Sequence, residues 1–222
     1  MFNFVTTCVG DYSMDYANKS FHMMSRHAGL NFKSYCITDR PHELTSNITP
    51  ILPPFNVKGW WNKLFTFSPE MPEGWIVSLD VDLIILDSIK EELEYCFNNI
   101  KQIAAYTDAI NWMNCKFSSS FMIFKSGSLN DIYQNFLSNY SKIENFPGGD
   151  QVWIAPQLRN ILYIDEKFPN FKRSLKFDLS IKDGNYLHIP KTIESGIKII
   201  DFHGRPKPHE VQQIPFIKEN WL

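Results

Sequence analysis

The chain has 222 residues, of which 44% are hydrophobic, 15% are aromatic and 21% are charged. This composition excludes a disordered protein, and the length predicts one domain that buries its own core. The formal charge is only -2 at pH 7, so the chain lacks the basic excess that is typical of a dedicated nucleic-acid binder.

The cysteines and the apolar stretches indicate the compartment. No two of the four cysteines form a C-x-x-C pair, which argues against a zinc site and a disulfide framework; they are Cys8, Cys36, Cys96 and Cys115. Residues 1–10 lack the basic and apolar regions of a signal peptide. The stretch from Ile76 to Leu86 contains two aspartates, so it does not predict a membrane span. We therefore expect a soluble, cytoplasmic protein.

Short apolar runs alternate with amphipathic segments along the chain. The predicted strands are Phe2–Val9, Phe32–Thr38, Ile48–Leu52, Trp75–Leu79, Gln102–Tyr106, Phe117–Phe124 and Ile197–Phe202. Helices are predicted from the N-cap Ser13 to the stop Gly29, across Lys58–Phe67, from the Ser88–Glu91 capping box, across Ser128–Tyr140, and from Asp150. This alternation predicts an α/β fold with a mostly parallel central sheet flanked by helices. Residues 1–222 then form a single domain, and residues 203–222 form an irregular tail.

Polar residues follow several of the predicted strands. They include the segment Gly10–Tyr12, the segment Asp80–Asp82, Asp108 and His203. In sheets of this class, ligands bind beyond the carboxyl ends of the strands. The sequence therefore predicts a site at that edge of the sheet.

The sharpest motif is Asp80-Val81-Asp82 at the end of a predicted strand. Two carboxylates at i and i+2 on an extended backbone point to the same side, and their like charges are costly at the end of an apolar run. A divalent cation removes that cost, and an oxygen-rich site suits Mn²⁺ or Mg²⁺. The triplet thus indicates a metal site. The alternative is that one aspartate caps a turn and the other is solvated.

A second cluster of polar residues follows the last predicted strand, in the segment Asp201–His209. His203 is a candidate to complete a metal site of two carboxylates and an imidazole, and Lys207 is a candidate to neutralise phosphate. Gly204 adds flexibility between them. The alternatives are an ordinary turn histidine and a solvated lysine.

Together, the D-x-D and the late H-G-x-x-K-P resemble the metal- and diphosphate-binding elements of GT-A nucleotide-sugar glycosyltransferases. The comparison is closest with glycosyltransferase family 8, the glycogenin and galactosyltransferase-like group, and with small bacterial and phage-type glycosyltransferases. Further segments are similar to family elements in the family's order: Val5–Tyr16, Gly59–Leu64, Phe117–Ile123 and Gly148–Gln151. Lys63 stands where family 8 has an arginine, and one residue fewer separates His203 from Lys207.

The resemblance implies a GT-A fold, with the tail 203–222 closing the site, and a metal-dependent transfer from a UDP-sugar to a glycan or other hydroxyl acceptor. It implies that Asp80, Asp82 and His203 hold Mn²⁺ or Mg²⁺ against the diphosphate. Lys207, with Lys63 or Arg205, would add positive charge there.

The resemblance also implies contacts to the nucleoside and to the donor sugar. Asp11, Tyr12 and Tyr16 are the candidates to bind the base and ribose, and Tyr16 has the alternative of packing in the core of the first helix. Ser119, in the run Ser118–Ser120, is a candidate to hydrogen-bond the sugar. The alternative for these serines is a solvated strand edge.

Two aspartates are the candidates for catalysis. Asp150 would deprotonate the acceptor hydroxyl if the reaction inverts the anomeric configuration, or orient sugar hydroxyls if it retains it. Asp108 is the second candidate, and helix capping is the alternative for Asp150. Three tryptophans either form a platform for acceptor sugars or fill the core; they are Trp60, Trp61 and Trp112.

Two other functions are compatible with the same motifs. A haloacid dehalogenase-like phosphatase also uses a D-x-D at a strand end with Mg²⁺, although that motif usually lies near the N-terminus and here follows 79 residues. A non-catalytic nucleotide-sugar or glycan-binding module would bind the same ligands without turnover.

Overall fold

The computed structural model describes residues 1–184 and 186–222. Its strands are β1 (Phe2–Thr7), β2 (Phe32–Ile37), β3 (Ile48–Ile51), β4 (Trp75–Asp80), β5 (Ile84–Ile85), β6 (Ile103–Thr107), β7 (Phe117–Lys125), β8 (Ile161–Tyr163), β9 (Lys172–Ser174), β10 (Ile181–Asp183), β11 (Tyr186–His188) and β12 (Ile199–Asp201). Its α-helices are α1 (Asp15–His27), α2 (Lys90–Asn99), α3 (Asn130–Ile143), α4 (Gly149–Ile154), α5 (Ile164–Lys167) and α6 (Pro215–Asn220).

Seven strands form the central sheet, in the order β3-β2-β1-β4-β7-β6-β8. Four pairs of neighbouring strands are parallel. The two pairs that β7 forms, with β4 and with β6, are antiparallel. The predicted α/β fold with a mostly parallel sheet is therefore confirmed. Because β7 runs against its neighbours, its first residues lie at the same edge of the sheet as the carboxyl end of β4.

A second, three-stranded sheet has the order β5-β12-β9. Its strand β12 pairs antiparallel with β5 and parallel with β9, so that Asp201 lies opposite Ser174. Because β5 follows β4 after only three residues, this sheet brings the last strand of the chain beside the Asp80–Asp82 segment. The strands β10 and β11 form a separate antiparallel pair.

Consecutive residues of the central strands belong to two different core clusters. Phe4 and Ile123 lie in a cluster with α1, α2 and β12, whereas Val5 and Met122 lie in a cluster with α3, α4 and the segment Gly59–Phe67. This alternation follows from the period of two along a strand. The sheet is thus covered on both faces, as a mostly parallel sheet requires.

Several predicted helix boundaries were wrong by a few residues. The helix α1 begins after Met14 instead of Ser13, and α2 begins after Ile89 without the predicted capping box. The predicted helix Lys58–Phe67 is a 3₁₀ helix, Gly59–Phe67. There the Asn62 side chain donates hydrogen bonds to the Val57 and Gly59 carbonyls, which keeps the first turn tight.

The tail 203–222 is less irregular than predicted because it ends in the helix α6. Phe216, Ile217 and Trp221 are buried and join the core cluster that contains α1 and β12. This apolar burial fixes the tail against the first helix. Among the residues described, no helix has both the length and the apolar character that a membrane crossing needs.

Candidate active site

A groove runs along the edge of the central sheet where β4 ends and β7 begins. Its main cavity has a volume of about 640 Å³ and an adjoining smaller cavity about 230 Å³. Both cavities are lined by Trp60, Lys63, Asp80 and Asp82. The D-x-D motif therefore lies at their junction, at the edge of the sheet that the sequence predicts.

The three serines of β7 point in two directions because side chains alternate along a strand, and a bulge lies at the same place. The pairing of β6 with β7 shifts register between Ala105 and Tyr106, and such bulges re-aim side chains. Ser119 contacts residues from one face of the sheet, and Ser118 and Ser120 contact residues from the other. All three serines are buried, so the alternative of a solvated strand edge is wrong.

The first group, here called the Lys63 cluster, consists of Lys63, Asp80, Ser119 and Asp150. The Lys63 Nζ lies 2.7 Å from Asp80 Oδ1 and 3.3 Å from Asp150 Oδ2. It also donates a hydrogen bond of 3.1 Å to Ser119 Oγ, which in turn donates one of 2.8 Å to Asp150 Oδ2. A single buried ammonium thus joins the D-x-D to the carboxylate at the start of α4.

Asp82 has partners from both ends of the chain. The Tyr12 hydroxyl donates a hydrogen bond of 3.0 Å to Asp82 Oδ2, and the Lys207 ammonium forms an ion pair with the same oxygen. The predicted diphosphate-binding lysine therefore reaches the D-x-D. This contact also brings the tail to the groove.

Negative charge is in excess at the D-x-D. Three carboxylates, of Asp80, Asp82 and Asp150, face only two ammonium groups, of Lys63 and Lys207. Burial is the largest cause that raises the pKa of Asp80, to about 7, and the charges of Asp82 and Asp150 add to it, while Lys63 acts in the opposite direction. A bound cation would relieve this repulsion.

The second group, here called the Lys172 cluster, consists of Lys172, Ser118, Ser120 and Asp201. The Lys172 Nζ lies 2.7 Å from Asp201 Oδ2 and donates hydrogen bonds of 3.4 Å to Ser118 Oγ and 3.2 Å to Ser120 Oγ. Ser120 also donates a hydrogen bond of 3.0 Å to Asp201. Burial would raise the pKa of Asp201, but the ammonium of Lys172 holds it below its ordinary value.

His203 lies beside the Lys172 cluster. Its Nε2 is 3.5 Å from Asp108 Oδ1 and 3.7 Å from Asp201 Oδ2, and its Nδ1 is 2.9 Å from Ser174 Oγ. Burial would lower the pKa of His203, but the two carboxylates raise it; conversely, the interaction with His203 lowers the pKa of Asp108 despite its burial. Asp108 and His203 line the main cavity together with Gly204.

Asp150 is the second residue of α4 and does not cap this helix. The N-cap of α4 is Gly148, in the left-handed region at φ 83°, and the carboxylate of Asp150 accepts its hydrogen bond from Ser119 instead. The helix-capping alternative is therefore wrong. The side chain of Asp150 lines the main cavity next to Gln151.

The residues predicted for the nucleoside lie at the other end of the groove. Tyr12 lines the small cavity with Thr7 and Val9, and it also lines an outer cavity of about 550 Å³ that contains Asp11 and Tyr16. The Tyr16 ring is buried, packs edge-on against Trp221 and has its hydroxyl against His209. The ring of Tyr16 therefore packs in the core, which was the alternative for this residue. Tyr12 is the nucleoside candidate that contacts the D-x-D directly.

The three tryptophans have different environments. Trp60 and Trp112 are 60% and 53% exposed and line the main cavity. Trp61 is 1% exposed and packs against Phe136 and Trp153. The platform prediction is thus wrong for Trp61, which fills the core.

The three predicted metal ligands line one cavity but do not meet at one point. Within the described residues, no three His, Cys, Asp or Glu side chains are gathered as a metal site. Asp80 and Asp82 are paired with lysines, and His203 is paired with Asp108. In donor type and in their excess of carboxylate charge, the three residues nevertheless fit a hard divalent cation.

The sequence gives no signal for two residues of the site. Lys172 and Ser174 lie on the three-residue strand β9, which was not predicted. A single lysine in such a segment matches no motif, and its partner Asp201 is 29 residues away. Their roles follow only from the pairing of β9 with β12.

No protein-family model and no curated protein matches the chain. Among solved structures, the galactosyltransferase LgtC, in complex with donor and acceptor sugar analogs, is similar with a TM-score of 0.64 and 12% identity over 98% of this chain and 93% of LgtC. The apo form of the glycosyltransferase GlyE of Streptococcus pneumoniae TIGR4 is similar with a TM-score of 0.64 and 15% identity over 99% of this chain. The bifunctional glycosyltransferase WbbM has a TM-score of 0.61 and 11% identity over 99% of this chain.

The chain spans 61% of that GlyE structure and 49% of WbbM. In a second GlyE structure, with a TM-score of 0.56, the similarity covers 75% of this chain and 46% of GlyE. At these identities the comparisons show the fold. The predicted GT-A fold is confirmed.

Proposed function

We propose that this protein is a glycosyltransferase that moves a sugar from a nucleoside-diphosphate sugar, with uridine as the nucleoside, to a hydroxyl group of a glycan or other acceptor. The observation that carries the proposal is the groove in which Asp80, Asp82, Lys207 and Asp150 come together from three separate parts of the chain. The likeness of the fold to LgtC, whose structure holds donor and acceptor sugar analogs, supports it.

The diphosphate would bind where Asp80 and Asp82 meet the two lysines. Asp80, Asp82 and His203 would hold Mn²⁺ or Mg²⁺, which when bound supplies Lewis-acid charge to the departing diphosphate. Lys63 and Lys207 add fixed positive charge, and Arg205 lies beside the outer cavity. An ammonium about 4 Å from a phosphate oxygen gains ~4 kcal/mol at an effective dielectric near 20, before desolvation. Since ~1.4 kcal/mol is tenfold in rate, even a third of that gain matters.

The nucleoside would occupy the small cavity. Tyr12 offers a ring for stacking, and its hydroxyl is already hydrogen-bonded to Asp82 at 3.0 Å. That bond couples the nucleoside end of the groove to the D-x-D. Asp11 is exposed beside Tyr12 and can accept a hydrogen bond from a base.

The donor sugar and the acceptor would meet at the other end, near Ser119 and Asp150. Asp150 is buried, and its carboxylate is held by Ser119 and Lys63, which fixes its direction. It would take the proton of the acceptor hydroxyl in an inverting reaction, or orient sugar hydroxyls in a retaining one. Asp108, hydrogen-bonded by the Trp112 backbone N–H at 2.9 Å, is the second candidate.

The first test is thermal stabilisation by UDP with and without Mn²⁺. We expect UDP to raise the Tm only when Mn²⁺ is present, and Asp82→Ala and the isosteric Asp82→Asn to abolish this effect. Asp87→Asn is the matched control because this exposed aspartate lies five residues away, outside the cavity linings. Equal stabilisation of wild type and Asp82→Asn by UDP would contradict the metal assignment.

The second test is release of UDP from UDP-sugars in the presence of Mn²⁺. Release that increases with a hydroxyl acceptor supports a transferase. Hydrolysis of a generic phosphomonoester without sugar transfer would support the phosphatase instead. Binding of UDP-sugars without any release, across a panel of acceptors, would support a non-catalytic module.

A further inference from the structure

Exposed apolar side chains are concentrated at the mouth of the main cavity. Of the twelve large apolar side chains exposed in the described part of the chain, five form what we call the apolar rim: Trp60, Ile110, Trp112, Met113 and Phe146. Four of them line the main cavity, and Met113 lies over Gly148, which also lines it. A contiguous apolar patch beside polar groups marks a binding surface, because water contact with such a patch is unfavourable.

The loop that carries part of the rim has a strained backbone. Asn111, Met113 and Asn114 have positive φ angles of 47°, 52° and 60°. Asparagine tolerates this region, but it is unusual for a bulky residue such as methionine. Strain of this kind is typical of functional sites. In this loop, the strained Met113 and its neighbour Trp112 are each 53% exposed.

Two glycines bring the rim close to the proposed catalytic carboxylate. A Cβ on Gly149 would lie 2.9 Å from Trp60 Nε1, and one on Gly148 would lie 3.0 Å from Met113 Sδ. Both glycines also have positive φ angles. Since Asp150 follows directly, rim side chains lie against the first turn of the helix that holds this carboxylate. The rim therefore borders the part of the cavity from which an acceptor hydroxyl can reach Asp150.

We infer that the apolar rim binds an alkyl or lipid-like aglycone of the acceptor, so that the acceptor is a glycoside with an apolar group close to its reacting sugar. This rests on the proposed function. Trp60 and Trp112 alone would suit the faces of sugar rings. Ile110 and Met113 offer no aromatic face, and their exposed surface is matched by an alkyl chain. The rim is also continuous with the polar cavity that contains Ser119 and Asp150.

The test compares methyl and octyl glycosides of the same sugar, used as β-glucoside, β-galactoside and β-N-acetylglucosaminide below the micelle concentration. Their Kd for the full chain with UDP and Mn²⁺ is measured by ligand-observed NMR. For at least one sugar we expect the octyl glycoside to bind about tenfold more tightly, which corresponds to about 1.4 kcal/mol. Burial of roughly 55 Å² of apolar surface supplies this difference.

The double variant Ile110→Ser/Met113→Ser should lose the preference for octyl over methyl. Ile181→Ser is the matched control because Ile181 is 72% exposed on β10, away from the cavity, and it should keep the preference. Equal affinities for octyl and methyl glycosides of all three sugars would overturn the inference, as would an octyl preference that survives in the double variant. A dimer in sedimentation analysis that the double variant dissociates would assign the rim to a second copy of the chain.

The proposed function is tested separately in the same samples. Release of UDP from UDP-sugars is measured with the methyl glycosides as acceptors, which lack the long apolar aglycone, so it separates the two failures. If UDP is released but octyl and methyl glycosides bind alike, only the aglycone inference fails. If no UDP is released and octyl glycosides still bind at the rim, the transferase proposal fails.

Discussion

The Lys63 and Lys172 clusters lie on opposite sides of β7 and use the same residue types, yet they differ in electrical balance. In the Lys172 cluster one ammonium faces one carboxylate, and the pKa of Asp201 is lowered. In the Lys63 cluster one ammonium lies between two carboxylates, Asp82 lies close by, and burial together with these charges raises the pKa of Asp80 to about 7. The comparison indicates a balanced, buried ion pair on one side and a site with excess negative charge on the other.

The largest effect on stability is expected from breaking the ion pair between Lys172 and Asp201. Lys172→Met should leave the carboxylate of Asp201 buried without its partner, and both side chains of the pair are only 5–6% exposed. We expect a loss of about 3 to 5 kcal/mol in the free energy of unfolding, measured by urea denaturation.

Two further variants serve as controls for this prediction. Lys172→Met/Asp201→Leu should recover most of the loss, because it removes both charges. Lys63→Met should cost less than Lys172→Met, because Asp80 is 31% exposed and its raised pKa lets it take up a proton. A loss for Lys63→Met equal to that for Lys172→Met would contradict the comparison.

The second prediction concerns pH and the metal-free protein. The pKa of Asp80 rises from 3.8 to about 7 on folding, so the folded state binds this proton more tightly than the unfolded state. Its contribution to stability is therefore present at low pH and is lost as pH rises from about 4 to about 7. Asp80→Asn should remove this part of the pH dependence, measured as the difference in unfolding free energy between variant and wild type at several pH values. A difference that is constant with pH would count against the raised pKa.

The smallest expected effects distinguish two neighbouring serines. Ser119→Ala removes a hydrogen bond to Asp150, and about 1 kcal/mol per bond predicts a roughly fivefold slower release of UDP. Ser118→Ala removes a hydrogen bond from Lys172 instead. We therefore expect Ser118→Ala to affect stability, measured as the urea midpoint, more than it affects the rate of UDP release. If Ser118→Ala slowed the release of UDP and Ser119→Ala lowered the urea midpoint instead, the two serines would have to point in the opposite directions.

The fold was predictable to the extent that local patterns specify it. The apolar runs predicted six of the seven strands of the central sheet, and the helical spacing predicted α1 and α3 within one to three residues at each end. The strands β8 and β9 were not predicted, because they have three residues each and no alternating pattern. Their place depends on pairing with β6 and β12.

For the candidate site, the sequence predicted many of the residues that line the groove, but not which of them pair with one another. The resemblance to GT-A enzymes implies that Lys207 lies at the diphosphate, but it does not imply the pair with Asp82, which joins residues 125 positions apart. For Asp108 and His203, neither motif indicated that the two side chains lie beside each other. The sequence could not show which of Trp60 and Trp61 is buried, since the two residues are adjacent and chemically identical.

The sequence by itself determined the longer strands and helices and the polar residues that follow several strands, because hydrophobic periodicity and short motifs act over a few residues. The tertiary structure decided which ammonium compensates which carboxylate. These pairs join residues from 17 to 125 positions apart. Their choice depends on strand pairing, on a bulge in β7 and on burial, none of which is a local property of the chain.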